Sequence, residues 1–300
     1  RSVAYNHMLS DSSRGFNANS ELGTNSSAIE GGLSAETYGY KSGHTADGWT
    51  MVDGTDTVDS QEDGNTNQPS VTYVGWTWAA NGGTTTTNDA SATSVGSIDS
   101  VYQANTTAKF SIVTYTGNGT AGASWAHGLG SVPHLVIVKG RSLANDWAVY
   151  HHKNTSAPET DFVNLQSTDA TSDADTRWND TAPTSTIITT GNNAAVNGNT
   201  HTYVAYCFSE VQGYSKFGTY TGNANDNGPF LYTGFKPKFA IFKATSASGE
   251  GWAIRDSARD PSNQMSGKIS ANVSAAEGTT ADDNDCDFLS NGIKLRSNDN

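Results

Sequence analysis

The sequence predicts an all-β protein built from tandem antiparallel β-sandwich domains. Three observations support this: the composition, short apolar runs bounded by turn residues, and the return of the same runs further along the chain. Thr, Tyr, Trp and Val suit half-buried strands, while Gly, Asn and Asp suit turns. Only 3 Met are present, and no long stretch combines Ala, Leu, Glu and Lys, so the composition argues against helical bundles.

The recurrence is a repeat of whole domains. Three consecutive segments return with offsets of 104 or 105 residues, so the register hardly drifts. A period of this size is typical of tandem domains and not of a solenoid of small units. The matched segments are 110–118 with 217–223, the Pro-led run 133–139 with 237–243, and 147–150 with 252–255.

A second set of matches gives the order of the remaining segments in the repeat unit. By this order the sequence begins and ends within a unit. These matches are 72–78 with 202–208, 11–15 with 256–260, and 47–51 with 291–295. The predicted domains are residues 1–83, a partial copy lacking its first strands (copy 1); 84–109, a polar linker; 110–216, a complete copy (copy 2); and 217–300, a partial copy lacking its last strand (copy 3). We expect a longer parent polypeptide, or, alternatively, partial copies that complement each other.

Each predicted strand of copy 2 has a local justification. The first ends at the turn residues Gly117-Asn118-Gly119, and the strand at residues 147–150 is short because Asp146 and His151 flank it. The Pro-led strand and the strand at 203–208 are apolar on both faces, which predicts central strands covered on both sides. The residues predicted to be buried are Leu135, Ile137, Trp147, Tyr203 and Tyr206.

The connections between copies differ in character. Residues 79–97 form a low-complexity stretch of Ala, Asn, Gly, Ser and Thr, which predicts a linker between copies 1 and 2. Between copies 2 and 3 only residues 209–216 separate two strand-like runs. We therefore expect copies 2 and 3 to be closely coupled.

Charge and apolar content exclude several function classes. The net charge is −13 and the pI is near 4.7, whereas a nucleic-acid binder needs a basic face and an anionic membrane would repel this chain. No apolar run approaches the length of a membrane span. Cys207 and Cys286 belong to different copies and different elements, so a disulfide between them is not expected.

Acidic loops are the candidate metal sites. One loop contains Asp53, Asp56, Asp59, Glu62 and Asp63, and another contains Asp282, Asp283, Asp285 and Asp287. Such oxygen-rich loops can hold calcium, although neither has the EF-hand spacing and solvated acidic loops are more common. Calcium at the second loop is the one cofactor considered, and no other cofactor is expected.

Tryptophans in polar surroundings are the candidate ligand contacts. Trp125 and Trp178 have no counterpart in copy 3, so they are predicted to face a ligand such as a sugar ring, while the alternative is that each closes one end of a core. Trp147 and Trp252 recur and are predicted core residues. No Gly-x-Ser-x-Gly elbow is present, and 30 acidic residues do not single out a glycosidase pair. No catalytic residue is assigned.

Four segments together resemble a repeat found in structural proteins of tailed bacteriophages, notably marine cyanophages. They are residues 110–118, 127–133, 203–208 and 287–292, and the resemblance extends over most of the chain apart from residues 84–97. It implies a virion component such as a tail fibre, and a β-sandwich of the lectin or laminin-G sort, with a jelly roll as a related topology. It implies no catalytic residues.

The repeat and the resemblance together predict a non-enzymatic structural component of a phage virion, a tail fibre or surface appendage built from repeated β-sandwich domains, and contact with host surface glycans is one expected role. The expected location is the extracellular particle. Expected partners are other virion proteins, copies of the chain itself, and host surface polysaccharide; nucleic acid and membrane are not expected. The alternative is a carbohydrate-binding or polysaccharide-degrading surface domain, which would need a groove lined by Trp and paired carboxylates.

Overall fold

The protein is an antiparallel β protein, as the sequence predicts. The structure, a computed structural model, describes residues 2–45, 47–56, 65–278 and 285–298. Strands account for 32% of the chain and helices for 7%, and every strand pairing within the described residues is antiparallel. Among these residues no helix has the length and apolar character needed to cross a membrane.

The described strands are short, and the α-helices are single turns. The strands are β1 (Met8–Leu9), β2 (Leu22–Gly23), β3 (Tyr40–His44), β4 (Trp49–Val52), β5 (Thr86–Asn88), β6 (Ser100–Asn105), β7 (Phe110–Thr116), β8 (Ala123–Ala126), β9 (Leu135–Gly140), β10 (Trp147–His151), β11 (Asp161–Asn164), β12 (Ser172–Asp173), β13 (Ile187–Thr190), β14 (Thr202–Phe208), β15 (Phe230–Tyr232), β16 (Phe239–Phe242), β17 (Ala253–Asp256), β18 (Ile269–Ser270), β19 (Cys286–Leu289) and β20 (Gly292–Leu295). The helices are α1 (Ala35–Tyr38), α2 (Ala90–Thr93), α3 (Asp175–Trp178) and α4 (Ala194–Asn197), with a 3-10 turn at Ala18–Ser20.

An eight-stranded sheet organises the middle of the chain. Its strand order is β12-β11-β10-β9-β14-β7-β6-β5. Strand β14 lies between β7 and β9, with Tyr206 opposite Ile112 on one side and Ile137 on the other. Because apolar residues fill both faces of β14, the strand is covered on both sides, which confirms the interpretation of this run as a central strand.

One face of the sheet packs on elements of copy 2 itself. Strands β8 and β13 pair with each other and, with α3 and α4, cover this face. The core between these layers contains Tyr115, Trp125, Val138, Trp178 and Tyr203. Of the residues predicted to be buried, Trp147, Tyr203 and Tyr206 are buried, whereas Leu135 and Ile137 are half-buried.

Copies 1 and 3 form small sheets of their own. Copy 1 contains the pairs β1–β2 and β3–β4, and copy 3 contains the sheets β16-β17-β18 and β15-β20-β19. Val149 is opposite Ile137 in the β9–β10 hairpin, and Ile254 is opposite Ile241 in the β16–β17 hairpin. These are the positions that the sequence offsets match, so the two hairpins have the same register.

Residues 84–109 are part of the main sheet, so the prediction of a polar linker is wrong. Strand β6 pairs with β7 along its whole length, and β5 adds the edge strand. Ser100 and Gln103 of β6 are both buried, and they lie on opposite faces of the sheet because they are three residues apart on the strand. Ser100 Oγ donates to the Ala126 carbonyl (3.0 Å), and Gln103 bonds Ser12 and Ser13 (3.1 and 2.8 Å). Polar side chains that find internal partners can be buried, and hydropathy does not detect them.

Two predicted strands are absent. Residues 72–78 and 217–223 are described, but neither segment forms a strand, although their counterparts in copy 2 are β14 and β7. The correspondence between copies 2 and 3 therefore extends to the two hairpins, whereas residues 72–78 and 217–223 do not form the strands of their counterparts. Trp76 and Trp78 nevertheless contact copy 3, since each ring lies 5.6 Å from that of Phe239.

Candidate interface between the repeat copies

Copies 1 and 3 each carry an Asp-Ser-x-Arg turn that follows the first of two paired strands. In copy 1, Leu9 is opposite Leu22; in copy 3, Ile254 is opposite Ile269. The first strands are offset by 245 residues and the second strands by 247. The sequence match between residues 11–15 and 256–260 thus corresponds to one local fold used twice.

The turn of copy 1 is built on a buried ion pair. Asp11 Oδ1 accepts the backbone N–H groups of Ser13 (2.9 Å) and Arg14 (3.0 Å), and Asp11 Oδ2 accepts Arg14 Nε (2.6 Å). The Arg14 guanidinium also donates to Glu30 Oε1 (2.9 Å) and to the Leu9 carbonyl (3.1 Å). The carboxylate and the guanidinium therefore fix the turn and the strand beside it.

The turn of copy 3 repeats this geometry position by position. Asp256 Oδ1 accepts the N–H groups of Ala258 (3.1 Å) and Arg259 (3.0 Å), and Asp256 Oδ2 accepts Arg259 Nε (2.5 Å). Arg259 then donates to Glu277 (2.6 Å) and to the Ile254 carbonyl (3.1 Å). A charged pair that recurs with its partners is part of the repeat and not a solvated surface feature.

In copy 1 this cluster is joined to copy 2. The Tyr206 hydroxyl, on β14, donates to Asp11 Oδ2 (2.6 Å), and Arg141 Nε donates to Glu30 Oε2 (2.7 Å). Burial lowers the pKa of Arg14, but interactions with Tyr206, Asp11 and Glu30 outweigh burial and raise the pKa overall. The guanidinium is therefore a permanent charge that requires its acidic partners.

Glu21 lies beside this cluster and is buried without a full set of partners. Its Oε1 accepts the Lys41 N–H (3.1 Å), while none of the described residues bonds Oε2. Burial raises the pKa of Glu21 to about 7, although the Lys41 hydrogen bond and the Arg14 charge oppose the shift. Glu21 therefore titrates near neutral pH.

The recurring tryptophans connect each copy to the one before it. Trp147 Nε1, in copy 2, donates to the carbonyl oxygens of Gly23 (3.1 Å) and Ser26 (3.0 Å) in copy 1. Trp252 Nε1, in copy 3, donates to the carbonyl oxygen of Asn164 (3.0 Å) in copy 2. Gly23 ends β2 and Asn164 ends β11, so the same donor position meets the same acceptor position twice.

The lysines at the ends of the Pro-led runs make a second repeated contact. Lys139 Nζ donates to the Ser27 carbonyl of copy 1 (3.0 Å), and Lys243 Nζ donates to the Thr168 carbonyl of copy 2 (3.4 Å). Ser27 lies four residues after Gly23, and Thr168 lies four residues after Asn164. Burial lowers the pKa of Lys139 to about 8, with Asp146 opposing the shift.

The three copies share a hydrophobic core on the outer face of the main sheet. Leu9 of copy 1, Val149 of copy 2 and Ile254 of copy 3 occupy equivalent positions and all pack in this core. Leu22 and Trp252 also belong to it. Copies 1 and 3 therefore cover the outer face of β14, as its two-sided apolar pattern requires. They also contact each other, because Thr24 Oγ1 donates to the Ala271 carbonyl (2.9 Å).

Trp125 and Trp178 are core residues and not ligand contacts. The structure leaves them 0% and 1% exposed. Trp125 stacks on Tyr115 (ring centroids 4.8 Å apart), and Trp178 Nε1 donates to the Asp161 carbonyl (3.1 Å). Neither ring has a free face for a sugar. The polar neighbours that suggested exposure, such as Ser124 and His127, are themselves buried.

The acidic loops give no metal site among the described residues. Asp285 and Asp287 face arginines: Asp285 is 3.8 Å from Arg255, and Asp287 accepts Arg296 Nε (2.7 Å). The other calcium candidates of this loop, Asp282 and Asp283, lie outside the described residues, as do Asp59, Glu62 and Asp63 of the first loop. Within the described ranges no group of three or more His, Cys, Asp or Glu side chains has the arrangement that holds a metal.

Cys207 and Cys286 are buried free thiols. Burial raises the pKa of each to about 12, so neither is a thiolate nucleophile near neutral pH. Among the described residues, the contacts between copies are the best-defined chemical feature.

One family model matches the chain, over residues 1–300, and its description is "Domain of unknown function (DUF7483)". No curated protein and no solved structure matches the chain.

Proposed function

The chain belongs to the DUF7483 domain family, and we propose that it is a non-enzymatic structural component of a phage virion, such as a tail fibre or other surface appendage. The proposal combines the resemblance of residues 110–118, 127–133, 203–208 and 287–292 to a phage structural repeat with the contacts between copies. Its location is then the extracellular particle, and its partners are other virion proteins or copies of itself.

The observation that carries the proposal is that the same kinds of hydrogen bond join copy 2 to copy 1 and copy 3 to copy 2. Trp147 and Trp252 both join their copy to the preceding one through an indole N–H and a strand-end carbonyl. Lys139 and Lys243 do the same through an ammonium and a loop carbonyl. The recurrent residues of this repeat thus serve cohesion between copies, which is what a mechanical building unit needs.

We also propose that each repeat unit is an antiparallel β-sandwich and that the units are arranged in tandem about the shared core. The packing of the main sheet against β8 and β13 supports a two-layer unit in copy 2. The equal registers of β9–β10 and β16–β17 support a related unit in copy 3.

The proposed role is tested on particles of a phage whose genome encodes this chain. Gradient-purified particles are labelled with antibodies against residues 110–216 and viewed by electron microscopy. We expect labelling on a tail appendage. Absence of the chain from purified particles, or hydrolysis of a polysaccharide by the purified chain, would contradict the proposal.

Carbohydrate binding is the second candidate, and the exposed aromatic side chains of β15 favour it. Phe230 and Tyr232 are 45% and 68% exposed and alternate with Leu231 on an edge strand. Exposed aromatic rings can stack on sugars. A glycan array probed with the chain and with a Phe230→Ser/Tyr232→Ser variant separates the two candidates, because only a glycan-binding surface loses its signal in the variant.

A further inference from the structure

Three histidines meet where copy 2 continues into copy 3. His134 precedes β9, and His151 and His152 end and follow β10. The ring centroids of His134 and His152 are 4.3 Å apart, and those of His151 and His152 are 5.4 Å apart. The Phe217 ring lies 6.4 Å from both His134 and His151. The rings therefore form one cluster against the segment 209–217, which connects the copies.

Two of these imidazoles act as hydrogen-bond acceptors. His134 Nδ1 accepts the backbone N–H of Glu210 (2.9 Å), and His151 Nδ1 accepts the backbone N–H of Lys153 (3.2 Å). A backbone N–H only donates a hydrogen bond, so Nδ1 of each ring must carry no proton in order to accept it. An imidazolium has no acceptor nitrogen, and protonation of either ring therefore breaks the bond it makes.

The third imidazole makes the contact to copy 3. His152 Nε2 donates to the Phe217 carbonyl (3.1 Å) and is 3.9 Å from Glu210 Oε1. This bond survives protonation because Nε2 is a donor in both states. A charged His152 ring, however, lies close to His134, because the two ring centroids are 4.3 Å apart.

The surrounding charges do not accommodate several imidazolium groups. Glu210 is the carboxylate facing the cluster, and Lys153 and Lys216 are the cations. Glu210 already accepts Lys216 Nζ (2.7 Å) and the Phe217 N–H (3.0 Å). Protonating all three rings would raise the local charge from +1 to +4. Like charges at these separations repel.

The pKa values agree with this geometry. Burial, then the charges of His152 and Lys153, lowers the pKa of His151 to about 4. Burial and His152 also lower the pKa of His134. A depressed pKa means that the folded state disfavours the proton. The neutral histidines therefore contribute their full stabilisation of the folded state above the unfolded-state histidine pKa of about 6.5. This contribution is lost as the pH falls towards their folded-state pKa.

We propose that His134, His151 and His152 form an acid-sensitive joint, in which protonation releases residues 209–217 from the end of the main sheet. The segment carries the Val211–Ser215 bridge and leads directly into Phe217. Its release loosens the contact of Phe217 with Phe208, whose ring centroids are 6.2 Å apart. The Trp252 and Lys243 contacts are separate from the cluster, so copy 3 stays attached to copy 2 while this end opens.

Residue-resolved amide hydrogen exchange tests the joint. The reporters are the amides of Glu210, Lys153 and Phe217, and the Tyr206 amide in β14 is the reference. We expect protection of the reporters, corrected for intrinsic exchange, to fall at least about tenfold between roughly pH 7.5 and pH 4.5, with Tyr206 unchanged. Equal protection at both pH values would overturn the proposal.

A matched variant removes the titration and keeps the acceptors. In a His134→Asn/His151→Asn double variant, Oδ1 can replace Nδ1 as the acceptor, so the reporters should remain protected at low pH. A His44→Asn variant, changed at an exposed histidine, should behave like the original chain. If the double variant loses protection over the same pH range, the histidines are not the cause.

A titration of the original chain covers the case in which the double variant fails to fold. Imidazole proton shifts followed by NMR should show His134 and His151 titrating below the ordinary histidine value of about 6.5, with the reporter amides changing over the same pH range. Titration of His134 and His151 at or above that value, or amide changes at a different pH, would overturn the proposal.

Discussion

Trp147 and Trp252 occupy the same position in successive repeat copies, and each indole N–H bonds a carbonyl oxygen of the copy before it, at 3.1 and 3.0 Å. The two acceptors, Gly23 and Asn164, end equivalent strands. A core tryptophan usually needs a partner for its N–H group when it is buried. Here the neighbouring copy supplies that partner, so folding of one copy and cohesion between copies depend on the same side chain.

Replacing either tryptophan by phenylalanine should weaken the whole chain. Trp147→Phe removes the donor to Gly23 and Ser26 and leaves space in the shared core, so we expect a loss of about 1–3 kcal/mol in the free energy of unfolding. Trp252→Phe removes one bond and should cost less. Urea unfolding followed by circular dichroism measures both.

The matched control for these variants is Trp49→Phe, because Trp49 is 42% exposed. It should change the free energy of unfolding by no more than about 0.5 kcal/mol. If Trp147→Phe and Trp252→Phe are as mild as Trp49→Phe, the two indole bonds do not hold the copies together.

The Tyr206–Asp11 hydrogen bond should couple copies 1 and 2 energetically. In a double-mutant cycle with Tyr206→Phe and Asp11→Asn, we expect an interaction energy of about 1–2 kcal/mol, because the hydroxyl bonds the carboxylate directly at 2.6 Å. Asp256→Asn changes the equivalent carboxylate of copy 3, which Tyr206 does not bond. Tyr206→Phe and Asp256→Asn should therefore be additive, and equal coupling in both cycles would contradict a direct interaction.

The sequence predicted those strands whose inward and outward positions are both apolar. Strand β14 is the clearest case, since Tyr203, Val204, Ala205 and Tyr206 are all buried between layers. Strand β6 was missed because its buried residues, Ser100 and Gln103, are polar and hydrogen-bonded internally. Residues 72–78 were predicted as a strand by their match to β14, yet they form no strand in the structure, because a local pattern does not guarantee strand formation.

A replacement of residues 84–109 tests whether they belong to the main sheet or form a linker. Replacing them by a Gly/Ser chain of equal length removes β5 and β6 and exposes the edge of β7. We expect loss of cooperative unfolding, because six residue pairs along β7 and the bonds of Ser100 and Gln103 disappear. The same replacement at the exposed loop 222–227 is the control and should leave the transition intact. An intact transition in the first variant would support a linker.

The contacts between copies were partly visible in the sequence. Lys139 and Lys243 end the two Pro-led runs, and an Asp-Ser-x-Arg turn occurs twice, so recurrence of charged residues was the available signal. The acceptors of the lysines and of the recurring tryptophans were not visible, because Ser27, Gly23 and Asn164 contribute backbone carbonyls, which carry no sequence information. Trp125 was misjudged for a related reason: its polar neighbours suggested exposure, but the fold buries them with it.

Glu21→Gln should stabilise the chain at alkaline pH and have little effect at acidic pH. Burial raises the pKa of Glu21 to about 7, so the folded state prefers the protonated carboxyl. The contribution of the protonated Glu21 carboxyl to folded-state stability is complete below the unfolded-state glutamate pKa of about 4.3. It is lost as the pH rises through about 7. Gln mimics the neutral form at every pH and retains an oxygen for the Lys41 N–H. At about pH 8 we expect the variant to gain on the order of 1–3 kcal/mol over the original chain.

The measurement is urea unfolding of both proteins between about pH 4.5 and pH 8.5, reported as the difference in the free energy of unfolding, because the difference cancels groups that titrate in both. Glu36→Gln, at an exposed glutamate, is the matched control and should give a flat difference. A flat difference for Glu21→Gln as well would mean that the Glu21 carboxylate is solvated or paired in the folded protein. A difference that grows with pH would show that an uncompensated carboxyl lies beside the Asp11–Arg14 pair, where copies 1 and 2 meet.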